Sequence, residues 1–278
     1  MLIDWLLDLI NYFYKNQITR LIMRIFYFPL SFAILEKKIW QIIDKKEDKE
    51  KIMVNIGGGH FFKRHWKVLD FSSSHYSWLP GTIDFNFNLS LSKQLPFKNE
   101  EISFLYSSHT IEHIPQEHVK FLFAEFYRSL KKGGVIRITL PDYDLGAEAY
   151  LKNDEDFFEE YKEEETIEAK FLRFFASDLK NKISSEEISK NFKKMEKKEF
   201  ADFYMDQISR ESQILAPGNH INWWNYDKLS EILTESGFRN VYRSEEQESR
   251  FSEMQGNGIY SGFDTSIPKM SLFIEATK

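Results

Sequence analysis

Five short runs rich in branched aliphatic and aromatic residues recur along the first half of the chain, and they limit its fold more than any other feature: "KIMVNI", "KVLDF", "GTIDFNFNL", "EISFLYSS" and "VIRITLP". The first ends in Gly57, Gly58 and Gly59, as a buried parallel strand does when it enters a tight loop. Between the fourth and fifth lies "PQEHVKFLFAEFYRSLKKGG", with Val119, Leu122, Phe123, Phe126 and Leu130 at helical spacing. This spacing predicts a helix with Lys131 and Lys132 in its last turn and Gly133 as its stop. Further on, "YDKLSEILTESGF" reads as a helix with Leu229, Ile232 and Leu233 inward and Gly237 as its stop, and "RNVYRSE" and "MSLFIEAT" read as the last two strands. Strands alternating with crossover segments predict an α/β fold: a doubly wound, mostly parallel, seven-stranded sheet covered by helices. Ligands of such sheets sit at the carboxyl ends of the strands.

With 278 residues, 42% apolar and 29% charged, the chain has material for one large domain, or for one domain carrying an insertion and an extra arm. A net charge of -6 argues against a nucleic-acid partner, because neutralising a phosphate backbone takes a basic excess. The absence of cysteine excludes disulfides, thiolate zinc sites and thiol nucleophiles together. The opening "MLIDWLLDLINYFYK" carries Asp4 and Asp8 where a secretory signal carries positive charge, so a cytoplasmic location is expected. The run "IFYFPLSFAIL" between Arg24 and Glu36 is well short of the roughly 20 residues of a crossing helix.

Three parts are expected. Residues 1–46 form an apolar helical arm interspersed with Lys15, Arg20, Arg24, Lys37 and Lys38. The arm either packs on the main domain or makes a peripheral contact with an anionic membrane surface or a protein partner. Residues 47–278 form the main domain, interrupted at 150–212 by a helical insertion. There Ile167, Phe171, Phe174, Phe175 and Leu179 mark one amphipathic helix. Ile188, Phe192, Met195, Phe200 and Phe203 mark a second, with Ser184 and Glu187 spaced as a capping box. The insertion is either a brace for the sheet or a lid over the strand ends.

The stretch "SSHTIEHI" contains His-x-x-Glu-His, a zinc pattern when both histidines share one helix. Pro115 argues otherwise: proline suits the first turn of a helix, so the helix starts there and leaves His109 to Ile114 in a strand-to-helix loop. The sequence shows no obvious third ligand, and no metal is expected. A zinc hydrolase using His109 and His113 stands as the lesser alternative.

Taken in order, "VNIGGG", "VLD", "LPFKNEEISFLYSSHTIEHI" and "YRSLKKGGVIRITLPD" resemble the class I S-adenosylmethionine-dependent methyltransferases. The similarity is greatest to the type 11-like branch with "LPF…HxxEH…RxLKxGGxLxIxxPD" segments. It runs from Met53 to Asp144 and resumes at "HINWWNYDKLSEILTESGFRNV". The resemblance implies a Rossmann-like sheet, S-adenosyl-L-methionine as cofactor, and cofactor contacts at Asn55, Gly57, Gly58, Gly59, Asp70, Asn88, Leu89, Ser108 and His109. The glycines would let the backbone come close to the cofactor. Asp70 would accept hydrogen bonds from both ribose hydroxyls.

Two departures stand out: Asn55 and Asn88 occupy positions where the resembled family usually or often has acids. Asparagine keeps an acceptor oxygen but not the charge that attracts a cationic cofactor. Weaker cofactor binding follows, or a catalytically silent relative kept as a binding or regulatory protein. The interval from Gly59 to Asp70 is too short for a full helix, so His60 to His65 are expected in an irregular loop.

Methyl transfer from a sulfonium is an in-line displacement, in which the protein aligns the acceptor and helps remove its proton. A base with a pKa near working pH suits this, which points to His109, with Asp142 and His220 as rivals. For His109, cofactor contact or a structural hydrogen bond are the alternatives. Asp142 can equally cap the segment after Pro141, and Glu112 and His113 are read as orienting the loop. His220, Trp223 and Trp224 are candidates for stacking on a substrate ring, with burial in the core as the other reading. By analogy alone, the acceptor is expected to be an oxygen on a small molecule, sugar or surface-glycan precursor.

Overall fold

The computed structural model describes residues 51–59, 66–72, 83–209, 211, 214, 216–255 and 267–278. The arm at 1–46 and the loop at His60 to His65 lie outside the described residues. Seven strands form one sheet: β1 (Ile52–Ile56), β2 (Trp66–Asp70), β3 (Phe85–Asn86), β4 (Ile102–Ser108), β5 (Leu130–Pro141), β6 (Arg239–Arg243) and β7 (Ser271–Thr277). Their order is β3-β2-β1-β4-β5-β7-β6. All pairings are parallel except those of β7, which runs antiparallel to both β5 and β6. This is the doubly wound, mostly parallel sheet expected from the sequence. The order reverses at β1, between β2 and β4, and such a switch point opens a ligand crevice at the carboxyl ends.

The helices are α1 (Gln116–Ser129), α2 (Tyr143–Lys152), α3 (Ile167–Ala176), α4 (Ser185–Phe192), α5 (Lys197–Met205) and α6 (Tyr226–Glu235). Pro115 is the N-cap of α1, which leaves the His109–Ile114 loop outside that helix as expected. The far end differs from expectation. The helix stops at Ser129, whose hydroxyl bonds back to the Glu125 and Phe126 carbonyls, and the Leu130 N–H makes the last helical bond, to the Phe126 carbonyl. Leu130 is already extended. Lys131 and Lys132 therefore belong to β5, and Gly133, at φ +74°, bends that strand at its register shift against β4 rather than stopping the helix.

The third strand is also shorter than predicted, with only Phe85 and Asn86 paired. The flanking asparagines divert the backbone: Asn86 Oδ1 accepts from Ser72 N, and Asn88 Oδ1 accepts from Ser90 N. The predicted second helix of the insertion is two helices, α4 and α5. Ser184 caps α4 by accepting from Glu187 N at 3.2 Å. The break lets Phe192 and Phe200 meet edge to face at 4.9 Å, whereas Phe203 remains 38% exposed instead of facing inward. The helical layer also begins before 150, at Tyr143.

Two large apolar cores result. Aliphatic residues of the strands, with α1 and α6, form the first; Leu229, Ile232 and Leu233 point into it as predicted. The second is built from aromatic residues of α2 to α5, including Tyr143, Phe158, Phe171, Phe174, Phe175, Phe200 and Tyr204. Gly146 is the contact point of α2 and α3, where an added Cβ would lie 2.3 Å from the Phe174 ring. Among the described residues, no helix is long and apolar enough to cross a membrane.

Candidate functional site

At the carboxyl end of β1 the chain turns sharply, and Gly57 N donates to the Leu69 carbonyl at 2.8 Å, binding the turn to β2. The three glycines have different causes. A Cβ on Gly57, which sits at φ +67°, would lie 2.2 Å from Thr110 Oγ1, and one on Gly58 would lie 2.7 Å from Val68 Cγ1. Those two make room for the protein itself. Gly59, at φ +51°, has no atom of the described residues within 4 Å of where a Cβ would stand. Its N–H donates to Asp70 Oδ2 at 2.8 Å, while Asp70 Oδ1 accepts from Phe71 N at 2.6 Å. Each carboxylate oxygen has lone pairs beyond those bonds, so the acid is oriented by backbone and can still accept from a ligand. Asn55 is buried beside Gly58, and its Oδ1 has no hydrogen-bond partner among the described residues.

The predicted cofactor residues thus divide. Asn55, the three glycines and Asp70 come together. Asn88 closes a turn onto Ser90, and Leu89 packs into the sheet core instead of lining the crevice. Ser108 ends β4 opposite Thr139, and its carbonyl accepts from Thr110 Oγ1 at 3.0 Å. Thr110, which the sequence reading passed over, packs on Gly57 and so couples the β4 loop to the glycine turn.

His109 follows in a left-handed conformation, φ +46°, held by its N–H on the Thr139 carbonyl at 2.9 Å. Its Nε2 lies 2.9 Å from Ser271 Oγ. Because that hydroxyl donates to the Ile267 carbonyl, it accepts from His109 Nε2–H. The other ring nitrogen, Nδ1, is 3.3 Å from Glu112 Oε1. Both nitrogens of this candidate base therefore face protein groups.

Glu112 lies in a single 3-10 turn, Ile111–His113, and is only 1% exposed. Burial pushes its carboxyl up, but His113, then His109 and His220, outweigh this and hold it at about 2. His113 Nε2 is 3.8 Å from Glu112 Oε1, and the His113 and His220 rings are 5.1 Å apart. Burial, aided by His113, pushes His220 down to about 4, so its imidazole is neutral at neutral pH. Asp142 behaves as a cap: Oδ1 accepts from Asp144 N at 3.1 Å, Arg243 Nη1 donates to Oδ2 at 3.2 Å, and burial raises its carboxyl. Of the three candidate bases, His109 and His220 gather around Glu112, while Asp142 caps α2.

The tryptophans are core residues, and neither offers a face to a substrate. Trp223 packs in the helical core and donates from Nε1 to Asp202 Oδ1 at 2.8 Å. Trp224 packs in the sheet core against Phe123. Both reach the lining of a groove of about 970 Å³ between α1, α5 and α6, yet they are 3% and 1% exposed.

Residues 70–138 match the family described as methyltransferase domain. No curated protein sequence matches the chain. Similar solved structures include a SAM-dependent methyltransferase from Archaeoglobus fulgidus, 15% identical with a TM-score of 0.42, covering 88% of this chain and 94% of its own. One from Thermotoga maritima is 18% identical with a TM-score of 0.40, covering 92% and 94%. One from Mesorhizobium loti is 13% identical with a TM-score of 0.41, covering 86% and 97%. The matched segment begins at Asp70, the acid that ends β2 and accepts from the glycine turn, and runs through β3, β4 and α1 into β5, so a methyltransferase-domain match lies across the carboxyl-end loops of this sheet.

Proposed function

We propose that this protein transfers a methyl group from S-adenosylmethionine to an oxygen of a sugar or glycan precursor. One observation carries the transfer half of the reading: the Gly59 N–H fixes the Asp70 carboxylate at the carboxyl end of β2, beside the sharp glycine turn that ends β1. When bound, the cofactor supplies the activated methyl carbon. The chain's residues would then divide the work. Asp70 accepts from the ribose hydroxyls, the turn at Gly57 to Gly59 gives close backbone approach, and the unpartnered Asn55 Oδ1 accepts from the cofactor's amino-acid end. His109, held by Ser271, stands in the loop after β4 next to Thr110, which packs on Gly57, and is the group of that loop proposed to move a proton. The acceptor class rests on the resemblance alone, and a membrane-linked acceptor would suit the apolar segment 1–46.

Calorimetric titration with S-adenosylmethionine tests the first half. One-to-one binding is expected, lost in Asp70→Ala and raising the melting temperature of the parent protein. Absence of both heat and stabilisation at millimolar cofactor defeats the reading. Asn55 favours a second reading, a relative that binds cofactor without catalysis; mass-spectrometric detection of methyl transfer to any sugar or lipid-linked glycan eliminates it.

A further inference from the structure

The loop after β4 and the segment before α6 are joined at two places. The Glu112 carbonyl accepts from Ile221 N at 3.0 Å and Asn222 N at 3.1 Å, and His113 Nδ1 meets the Asn219 carbonyl at 2.9 Å. These bonds bring Glu112, His113 and His220 to one spot, with one donor atom from each within 4.8 Å of the others. His220 Nδ1 meets the Phe174 carbonyl at 2.7 Å. A carbonyl only accepts, so both imidazoles carry a proton on Nδ1 and direct Nε2 as the ligating nitrogen. A carbonyl behind the ring is the usual outer support of a metal-bound histidine. Glu112 supplies the independent sign: it is buried, neither carboxylate oxygen has a well-formed hydrogen bond among the described residues, and its nearest polar neighbours are imidazole nitrogens, His109 Nδ1 at 3.3 Å and His113 Nε2 at 3.8 Å. A desolvated carboxylate in that condition is costly unless a cation compensates it.

We propose that Glu112, His113 and His220 bind one first-row divalent transition ion of the zinc class. Two imidazoles and one carboxylate suit such an ion, whereas magnesium and calcium favour all-oxygen shells. Two bonds of about 2.1 Å at a tetrahedral angle span roughly 3.4 Å, so the donors, which lie within 4.8 Å of one another, close by up to about 1.4 Å on binding. The ligand set differs from the His-x-x-Glu-His pattern in the sequence. His109 is turned to Ser271 and stands behind Glu112, and His220, from the other side of the helical layer in sequence, takes its place. Three protein ligands leave a position for water or an acceptor hydroxyl, whose proton the ion would make easier to remove. That last role rests on the methyl-transfer reading; the binding itself does not.

The test uses the full chain, free of any affinity tag and stripped with chelator, titrated with Zn²⁺ and with Co²⁺ in the absence of cofactor. One ion per chain is expected, with visible Co²⁺ absorption of low-coordinate character. Glu112→Gln and His220→Ala should each weaken binding more than about a hundredfold, beyond the range seen for outer-sphere changes. His118→Ala, which alters a histidine bonded to Ser92 outside the cluster, should leave affinity unchanged. Zn²⁺ should raise the melting temperature of the parent and of His118→Ala but not of Glu112→Gln, which separates lost binding from lost folding. No saturable binding at micromolar ion, or equal affinity in parent and Glu112→Gln, overturns the proposal. S-adenosylmethionine titrated into the metal-free chain is the separate measurement for the methyl-transfer reading.

Discussion

The sheet and the helical layer solve the same packing problem with different materials. The sheet core is mainly aliphatic and is set by strand register, with Val54, Ile56, Leu105, Ile136 and Ile138 in adjacent parallel strands. The helical core is mainly aromatic and is set by ring contacts: Phe171 alone meets Tyr143, Tyr150, Phe158, Phe175, Phe192 and Phe200. Two consecutive residues connect them, Trp223 facing the helical core and Trp224 the sheet core. The difference shows where chemistry is held. Regular register makes a precise edge for a cofactor at the strand ends, while the helical layer brings in His220, a group the strands do not supply.

The largest effect is expected from Phe171→Ala, which removes the hub of the aromatic core at a cost of about 3–5 kcal/mol. Because the paired tryptophans tie the cores together, one urea transition should move as a whole with its slope unchanged. A separate early transition would show that the helical layer unfolds alone and would break the picture of joined cores. On the sheet side, Arg137 and Glu275 form an ion pair with both side chains fully buried, the guanidinium also donating to Ser244 Oγ and to the Glu245 and Glu248 carbonyls. Glu275→Ala leaves that cation uncompensated and should cost about 3–4 kcal/mol in the same denaturation experiment.

The glycine turn offers a finer contrast. Gly57→Ala drives a methyl group into Thr110 at a positive φ and should destabilise by about 3 kcal/mol. Gly59→Ala meets no atom of the described residues, so it should cost only about 1 kcal/mol through its backbone conformation yet weaken cofactor binding at least about tenfold. Melting temperature and calorimetric affinity, measured on both variants, should therefore rank them in opposite order.

A pH-dependent effect concerns the seam between the cores. Lys228 Nζ donates to Asn222 Oδ1 and the Trp223 carbonyl, and lies over both tryptophan rings. Burial lowers its pKa from 10.5 to about 8. Between those values the unfolded chain binds more protons than the folded one, so stability should rise with pH from about 8 to 10.5. Below pH 8 the cost of burying the charge is fully present. Chemical denaturation of the parent against Lys228→Met across that range should show the rise only in the parent.

Much of this molecule could be read from the order of its residues. The strand runs, α1 starting at Pro115, the glycine turn and Asp70 are local or nearly local: hydrophobic alternation, a proline's missing N–H and a glycine's freedom act within a few positions. The ends of elements were less legible. α1 ended at Ser129, short of the glycine that offers a stop, and β3 was shortened by asparagines whose side-chain hydrogen bonds to nearby backbone competed with the regular pattern. The roles of Glu112, His220 and the tryptophans were decided by tertiary structure. Nothing near Trp223 in sequence distinguishes its environment from that of Trp224, and nothing near Glu112 foretells that a histidine from the segment before α6 will stand beside it. Such meetings depend on how two cores are joined, and long-range packing of that kind leaves no period in the chain.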